Sequence, residues 1–293
     1  MDRDRLTLLG VPIDSVGEAG GTELGPGRLR ELLAPTGLAD AGDTGRQIRG
    51  LERDPGNGWL AFEDVLGVTT EVRARVGELT ERGRIPVVLG GCCTLLPGAL
   101  AGARDSFGQV GLACLDGHLD LFTGQTSPTG EGADMPVAVA LGMAPPEMLN
   151  ALGPEPLLDP ATVALIGARD REELEMIAPL PSGCGIGRIE DRNALRHADL
   201  ARVGSSVAAE LGAGDHRYWI HLDVDVLDSR AFPATDYLMD DGLSLPELKA
   251  ILLPLAESAS VVGASVACFN PEKDPDGCCG ASLADLLACT LIA

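Results

Sequence analysis

Two stretches decide how this chain is read: VGLACLDGHLD at residues 110–120 and YWIHLDVDVLD at residues 218–228. Each opens as a run of strand-forming residues, Val110–Leu115 and Tyr218–Leu222, and ends in carboxylates. While a chain stays extended, side chains at i, i+2 and i+4 point to the same side. Asp116, His118 and Asp120 are therefore expected to converge on one point, and Asp223 and Asp225 on another.

Four carboxylates gathered at the ends of neighbouring strands repel one another and lose hydration, and a bound cation removes both penalties. Oxygen donors with a single imidazole suit Mn²⁺ or a related divalent ion, whereas a structural zinc site shows more sulfur or histidine. Five such ligands fit a metal pair, with manganese expected first.

Outward from these stretches, strands alternate with helices. Leu6–Ile13 reads as a first strand, and Pro26 opens a helix over Arg28–Leu33 after a Gly-rich loop. That loop matches neither the GxGxxG nor the P-loop spacing, so close turns without phosphate binding are expected there. Residues 40–58 are polar and Gly-rich and read as irregular. Phe62–Arg82 is helical, Ile85–Leu89 is a strand running into Gly90-Gly91-Cys92-Cys93-Thr94, and a helix follows from Leu95.

Residues 122–134 form a Gly/Pro/Thr loop long enough to close over a site, with Thr129 a candidate substrate contact. Beyond it the expected elements are a strand at Thr162–Ile166, a short acidic helix at Glu172–Met176 and a long helix at Arg192–Leu211. A helix at Leu245–Ala256, a strand at Val261–Cys268 and a closing helix at Ala281–Ile292 complete the chain. The pattern predicts one α/β domain over residues 1–293, a three-layer α/β/α arrangement around a mostly parallel sheet, with no linker or internal repeat. Ligands collect beyond the carboxyl ends of such strands, where Cys93, Asp116 and Asp223 fall.

A formal charge of −22, from 44 acidic and 22 basic residues, repels phosphate backbones and anionic membranes, so neither nucleic acid nor a membrane is an expected partner. The same field attracts small cations such as amines or guanidines, although it also serves solubility alone. Aromatics at 3% leave a core of Ala, Val, Leu and Ile. The N-terminus has no signal core and the eight cysteines include no CxxC pair, so a cytoplasmic protein with reduced thiols is expected. His221 reads as a packed, hydrogen-bonded imidazole outside the ligand set, and His197 and His216 as surface residues. Trp59 and Trp219 read as core or interface fillers. Cys92 and the pair Cys278-Cys279 are expected in small core spaces or loops.

In the order of its motifs the chain resembles the ureohydrolase family of arginases, agmatinases and formiminoglutamases over most of its length. Gly25-Pro26 with Leu29-Arg30 is similar to an early Gly-Pro-x-x-Leu-Arg element, and Gly90–Thr94 stands where the family has Gly-Gly-Asp-His-Ser. Asp116–Asp120 matches Asp-Ala-His-x-Asp, residues 166–170 match Ile-Gly-x-Arg-Asp, and Asp223–Asp228 matches Asp-x-Asp-x-x-Asp. Pro233-Ala234-Thr235 resembles Pro-Ala-Thr-Gly, and Asn270-Pro271 the end of Glu-x-Asn-Pro.

The resemblance implies a binuclear manganese centre. Asp116 and Asp223 bridge, His118 and Asp225 complete one metal, and Asp120 with Cys93 completes the other. A polarised water then attacks the trigonal carbon of a guanidine or amidine, steadied by Asp120. Asp228 supports its loop, while Asp170, Thr235 and Cys268 fall at substrate-contact positions. A homo-oligomer, trimer or hexamer, is implied as well.

Four departures stand out. Cys93 replaces a histidine ligand, and its softer sulfur leaves one metal or two, and zinc beside manganese, open. Cys268 replaces the carboxylate that meets the guanidinium, Ala133 a histidine that shuttles protons, and Phe122 an asparagine that holds an α-carboxylate. They argue against ordinary arginine hydrolysis and for a substituted or hydroxylated guanidine. They also keep in play a metal- and ligand-binding protein with little catalysis.

Overall fold

The computed structural model describes residues 1–15, 20–153, 155–177 and 185–293. Eight strands form one sheet: β1 (Leu6–Val11), β2 (Ala39–Asp43), β3 (Ile85–Gly90), β4 (Val110–Leu115), β5 (Val163–Ile166), β6 (Arg188–Glu190), β7 (Arg217–Asp223) and β8 (Val261–Ala267). Their order is β2-β1-β3-β8-β7-β4-β5-β6 and every pairing is parallel. Strands β1, β3, β4 and β8 are buried at every residue, which requires cover on both faces.

That cover comes from α1 (Gly25–Leu33), α2 (Phe62–Glu81), α3 (Leu96–Phe107), α4 (Pro136–Ala140), α5 (Pro146–Leu152), α6 (Arg171–Ile177), α7 (Arg192–Leu195), α8 (Leu200–Leu211), α9 (Leu245–Glu257) and α10 (Cys278–Ala288). Helix α2 packs on α3, α8 on α9 and α1 on α10. The expected three-layer α/β/α fold is what the chain adopts. Among the described residues no helix is long and apolar enough to cross a membrane.

Sheet order positions the site. Strands β3, β8, β7 and β4 are consecutive in the sheet although far apart in sequence, so their carboxyl ends lie side by side. Leu89 pairs with Val266, Val266 with Leu222, and Leu222 with Leu115, which brings four post-strand loops to one edge. The Gly-Gly junction after β3 is a close approach: a Cβ on Gly91 would sit 1.7 Å from the Ile13 carbonyl oxygen. The Gly91 amide meanwhile donates to Val11 at 2.9 Å.

Several elements differ from expectation. Residues 39–43, read as irregular, form edge strand β2, whose exposed residues and left-handed Gly42 carry no apolar alternation. Strand β6 is a three-residue edge paired with β5, too short to show a period. The helix expected over Arg192–Leu211 splits in two because Asp191 caps α7, accepting from the Ala194 amide, and Asp199 caps α8, accepting from that of Arg202. The closing helix starts earlier, at Cys278 after left-handed Gly277, and ends at Ala288. Cys278 is therefore an exposed helix residue, while Cys92 is buried as expected. Trp219 and Trp59 are buried in the core.

Candidate metal centre

Strand β4 ends at Leu115, and the chain turns at once instead of staying extended. The Asp116 amide donates to the Ile166 carbonyl at 3.0 Å, and its carboxylate accepts from the His118 amide at 2.7 Å. Gly117 fits beneath because a Cβ there would stand 2.6 Å from the Arg169 guanidinium and 2.8 Å from Asp225. Asp120 then takes a left-handed backbone, φ 55°. Convergence in this cluster thus comes from a tight turn, not from the alternation of a strand.

The second cluster is also a turn. Asp223 closes β7 and accepts from the Asp225 amide at 2.9 Å, capping a short 3₁₀ turn over Val224–Val226. Asp225 accepts from the Gly117 amide at 2.9 Å, which locks the two clusters together. Arg169 donates to the carbonyls of Val226 at 2.9 Å and Asp225 at 2.5 Å, so β5 braces the turn from below.

His118 Nδ1 comes to 3.0 Å from Asp225 and 3.6 Å from Asp116. Donor atoms of Asp116, His118 and Asp225 all fall within 4.8 Å of one another, as do those of Asp116, His221 and Asp223, and those of Cys93, Asp223 and Cys268. Three buried acidic oxygens here, on Asp116, Asp120 and Asp170, have no hydrogen-bond partner, and neither does His221 Nε2. Buried polar atoms without partners are rare in native proteins, and two of the residues that carry them, Asp116 and His221, stand with Asp223 in a group that could hold a cation.

The charge states follow the crowding. Burial and the neighbouring Asp225 raise the Asp116 carboxyl to about 6. Burial, then Asp116, lifts Asp120 well above the usual carboxylate range, and burial, then Asp225, does the same to Asp223. Burial opposes charge on His118, but Asp225 and Asp116 overcome it and hold the imidazole proton well above its ordinary value. Burial also opposes charge on Asp225, yet His118 and the Gly117 amide keep it ionised. His221 is driven down to about 4 by burial and is a neutral imidazole.

His221 was expected to be a packed, hydrogen-bonded ring, and Ser265 does meet its Nδ1 at 2.7 Å. Its place outside the ligand set is less simple, because the ring lies among Asp116 and Asp223 with its other nitrogen unpartnered. Asp228 accepts from the amides of Arg230 and Asp241 and stays away from the cluster, in its loop.

These groups open into a crevice. Cys93, His118, Asp120, Asp170, Asp223, Asp225 and Cys268 line it, and Asp116 lies buried beneath them. Two expected contacts are elsewhere: Thr129 is exposed and donates to Asp134 at 2.6 Å, and the Thr235 carbonyl accepts from Lys273 at 3.2 Å. Phe122 and Ala133 line the wall.

Sequence reading missed Asp14, Thr22, Asp134, Asp236 and Tyr237. Asp14 shared the signal that found Asp116, a carboxylate just beyond a strand. Tyr237, whose hydroxyl donates to Glu131 at 2.9 Å and whose ring stands edge-on to His118, carried none. Among the described residues, seven aspartates and no lysine or arginine line the crevice.

The arginase-family profile matches residues 4–293. The chain belongs to the arginase family. As a hydrolase of this family it is 29% identical over 279 residues to the arginase of Bacillus caldovelox, covering 92% of each chain. It is 26% identical over 287 residues to that of Bacillus subtilis strain 168, covering 96% of each. The solved native structure of the Bacillus caldovelox arginase superposes with a TM-score of 0.88 at 26% identity, over 98% of both chains.

Proposed function

We propose that this arginase-family hydrolase cleaves a linear C–N bond in a small cationic guanidino or amidine compound, with a divalent metal centre of the manganese class. One observation carries the reading: unpartnered, buried acidic oxygens and an imidazole meet at the floor of a crevice whose charged lining is acidic. The donor set of Asp116, His118 and Asp225, oxygen with one nitrogen, fits Mn²⁺. Asp120, Asp223 and Cys93 would hold a second ion, though the sulfur makes that position a poorer match for manganese. The chemistry such ions supply is polarisation of a water and of the substrate's C–N carbon.

The chain's own groups supply the rest. Asp14, Asp134, Asp170 and Asp236 face a cationic substrate and draw it to the floor. Asp120, whose Oδ2 is buried and unpartnered, would hold a water proton and return it to the leaving amine. Phe122 and Ala133 themselves offer neither a hydrogen bond to an α-carboxylate nor a proton relay, which supports a substituted guanidine over arginine.

The test is urea release from a panel of guanidines by Mn²⁺-loaded protein beside Asp116→Asn. Turnover that vanishes in the variant upholds the proposal. Silence across the panel from protein holding stoichiometric metal refutes it. That outcome would favour the second reading, a metal- and ligand-binding protein without efficient catalysis, which Cys268 supports by standing where a substrate carboxylate is expected.

A further inference from the structure

The donors at the floor of the crevice are of two kinds. Toward β4 they are oxygen and nitrogen, from Asp116, His118 and Asp225. Toward β3 and β8 two sulfurs, Cys93 and Cys268, meet the Asp223 carboxylate, all three buried and with donor atoms within 4.8 Å of one another. We propose that Cys93, Cys268 and Asp223 form a separate thiolate-bearing position for a thiophilic divalent ion of the Zn²⁺ class, beside an oxygen-and-imidazole position for a harder one. This rests on the reading of the crevice as a metal centre.

Ligands of a tetrahedral ion with bonds of about 2.0–2.3 Å lie about 3.3–3.8 Å apart, so only a small inward shift separates the observed trio from coordination. With three protein donors, such an ion would keep a further position open to the crevice that all three residues line. Thiolate selects zinc over manganese, and the two sulfurs outnumber the oxygen here.

The backbone supports a role beyond packing. Cys268 is held in a left-handed conformation, φ 68°, with its amide donating to the Gly91 carbonyl at 2.7 Å, and this aims its thiol at Cys93 and Asp223. A thiol that merely filled space would need no such backbone. On binding, two sulfur–metal bonds form, each thiol proton leaves to solvent, and the Cys93 hydrogen bond to the Ala133 carbonyl breaks. No electrons change hands.

The test uses the full chain, stripped with a chelator under reducing conditions and titrated with Co²⁺, Zn²⁺ and Mn²⁺. Expected are a sulfur-to-cobalt charge-transfer band, loss of that band in both Cys93→Ser and Cys268→Ser, and a fall in zinc affinity of about 10–100-fold in each. Mn²⁺ bound at the oxygen position, counted by electron paramagnetic resonance, persists in both variants. Cadmium NMR of the unsubstituted protein, which reads directly how many sulfurs bind, stands in if a variant fails to fold.

Cobalt bound in full without the band, a band that survives Cys268→Ser, or a single sulfur on cadmium overturns the proposal. If Mn²⁺ binds and no sulfur signal appears, only the thiolate position falls. If no ion binds at all, the metal centre falls with it. Urea release is read separately and decides neither outcome.

Discussion

The two flanks of the crevice are built on different plans. On the β4 side, Asp116 and His118 come from one short turn, and Asp225, two residues beyond the Asp223 that ends β7, is pinned to it by the Gly117 amide. On the other side, Cys93, Cys268 and Asp223 come from three loops and meet only because β3, β8 and β7 are neighbours in the sheet. The first flank carries charge before any ion arrives, Asp225 paired with a protonated His118; the second holds neutral thiols that bind a cation only by losing protons. A turn-built site is stiff and chemically simple. A site built across strands inherits whatever each loop supplies.

Asp223, a donor of the second flank that also groups with Asp116 of the first, is the sharpest place to break the contrast. Asp223→Asn is expected to lower metal content at both positions and to cut turnover by more than about 100-fold, measured by elemental analysis and urea release. Asp228→Asn, five residues on and away from the floor, should leave activity within a few-fold. Equal losses in the two variants would mean that the turn, not the donor, is what matters.

Ser265 comes next in size, since it supports the region between the flanks. Its hydroxyl meets Trp219 Nε1 at 2.9 Å and His221 Nδ1 at 2.7 Å in the dry core. Ser265→Ala leaves two buried groups unpaired at about 1–3 kcal/mol each. A denaturation midpoint unchanged from the wild type would show that neither bond matters.

The pH dependence separates the flanks by protons. A metal at the oxygen flank must displace the proton that His118 holds well above its ordinary value, and below about 6 that of Asp116 as well. Protons compete with the ion, so Mn²⁺ affinity falls as pH falls: about tenfold per pH unit from His118, and a further tenfold per unit below about pH 6 from Asp116. Calorimetry at several pH values reads the slope, and a flat profile would break the assignment of these two residues as ligands.

A smaller effect calibrates the rest. Ser244 forms a capping box with Glu247 at the start of α9, on the helical layer and outside both flanks. Ser244→Ala should cost about 1 kcal/mol in unfolding free energy and leave metal content alone. Lost metal there would mean that the crevice responds to general loosening, and would blunt every comparison above.

Legibility in the sequence followed contiguity. The α/β pattern, the buried strands and the two carboxylate clusters are local features, and Asp116, His118, Asp223 and Asp225 were found because each cluster lies within a few residues of a strand end. Edge strands β2 and β6 were missed because an exposed or three-residue edge has no hydrophobic period to read. The long helix over residues 192–211 was overcalled because an interior Asp199 looks like any surface residue until it caps. Thr129 and Thr235 lay in suggestive segments, but neither is among the residues that line the crevice; Thr129 reaches it only through its bond to Asp134.

By itself the sequence determined the class of fold, its acidic character and the oxygen donors, because periodicity, charge and strand-end carboxylates are properties of neighbouring residues. Only the tertiary structure decided that Cys268 faces Cys93, that His221 keeps an unpartnered nitrogen among the acids, and that Asp14 and Tyr237 belong to the same crevice. Those meetings depend on which strands lie side by side, and sheet order is set by packing over the whole chain rather than by any local run of residues.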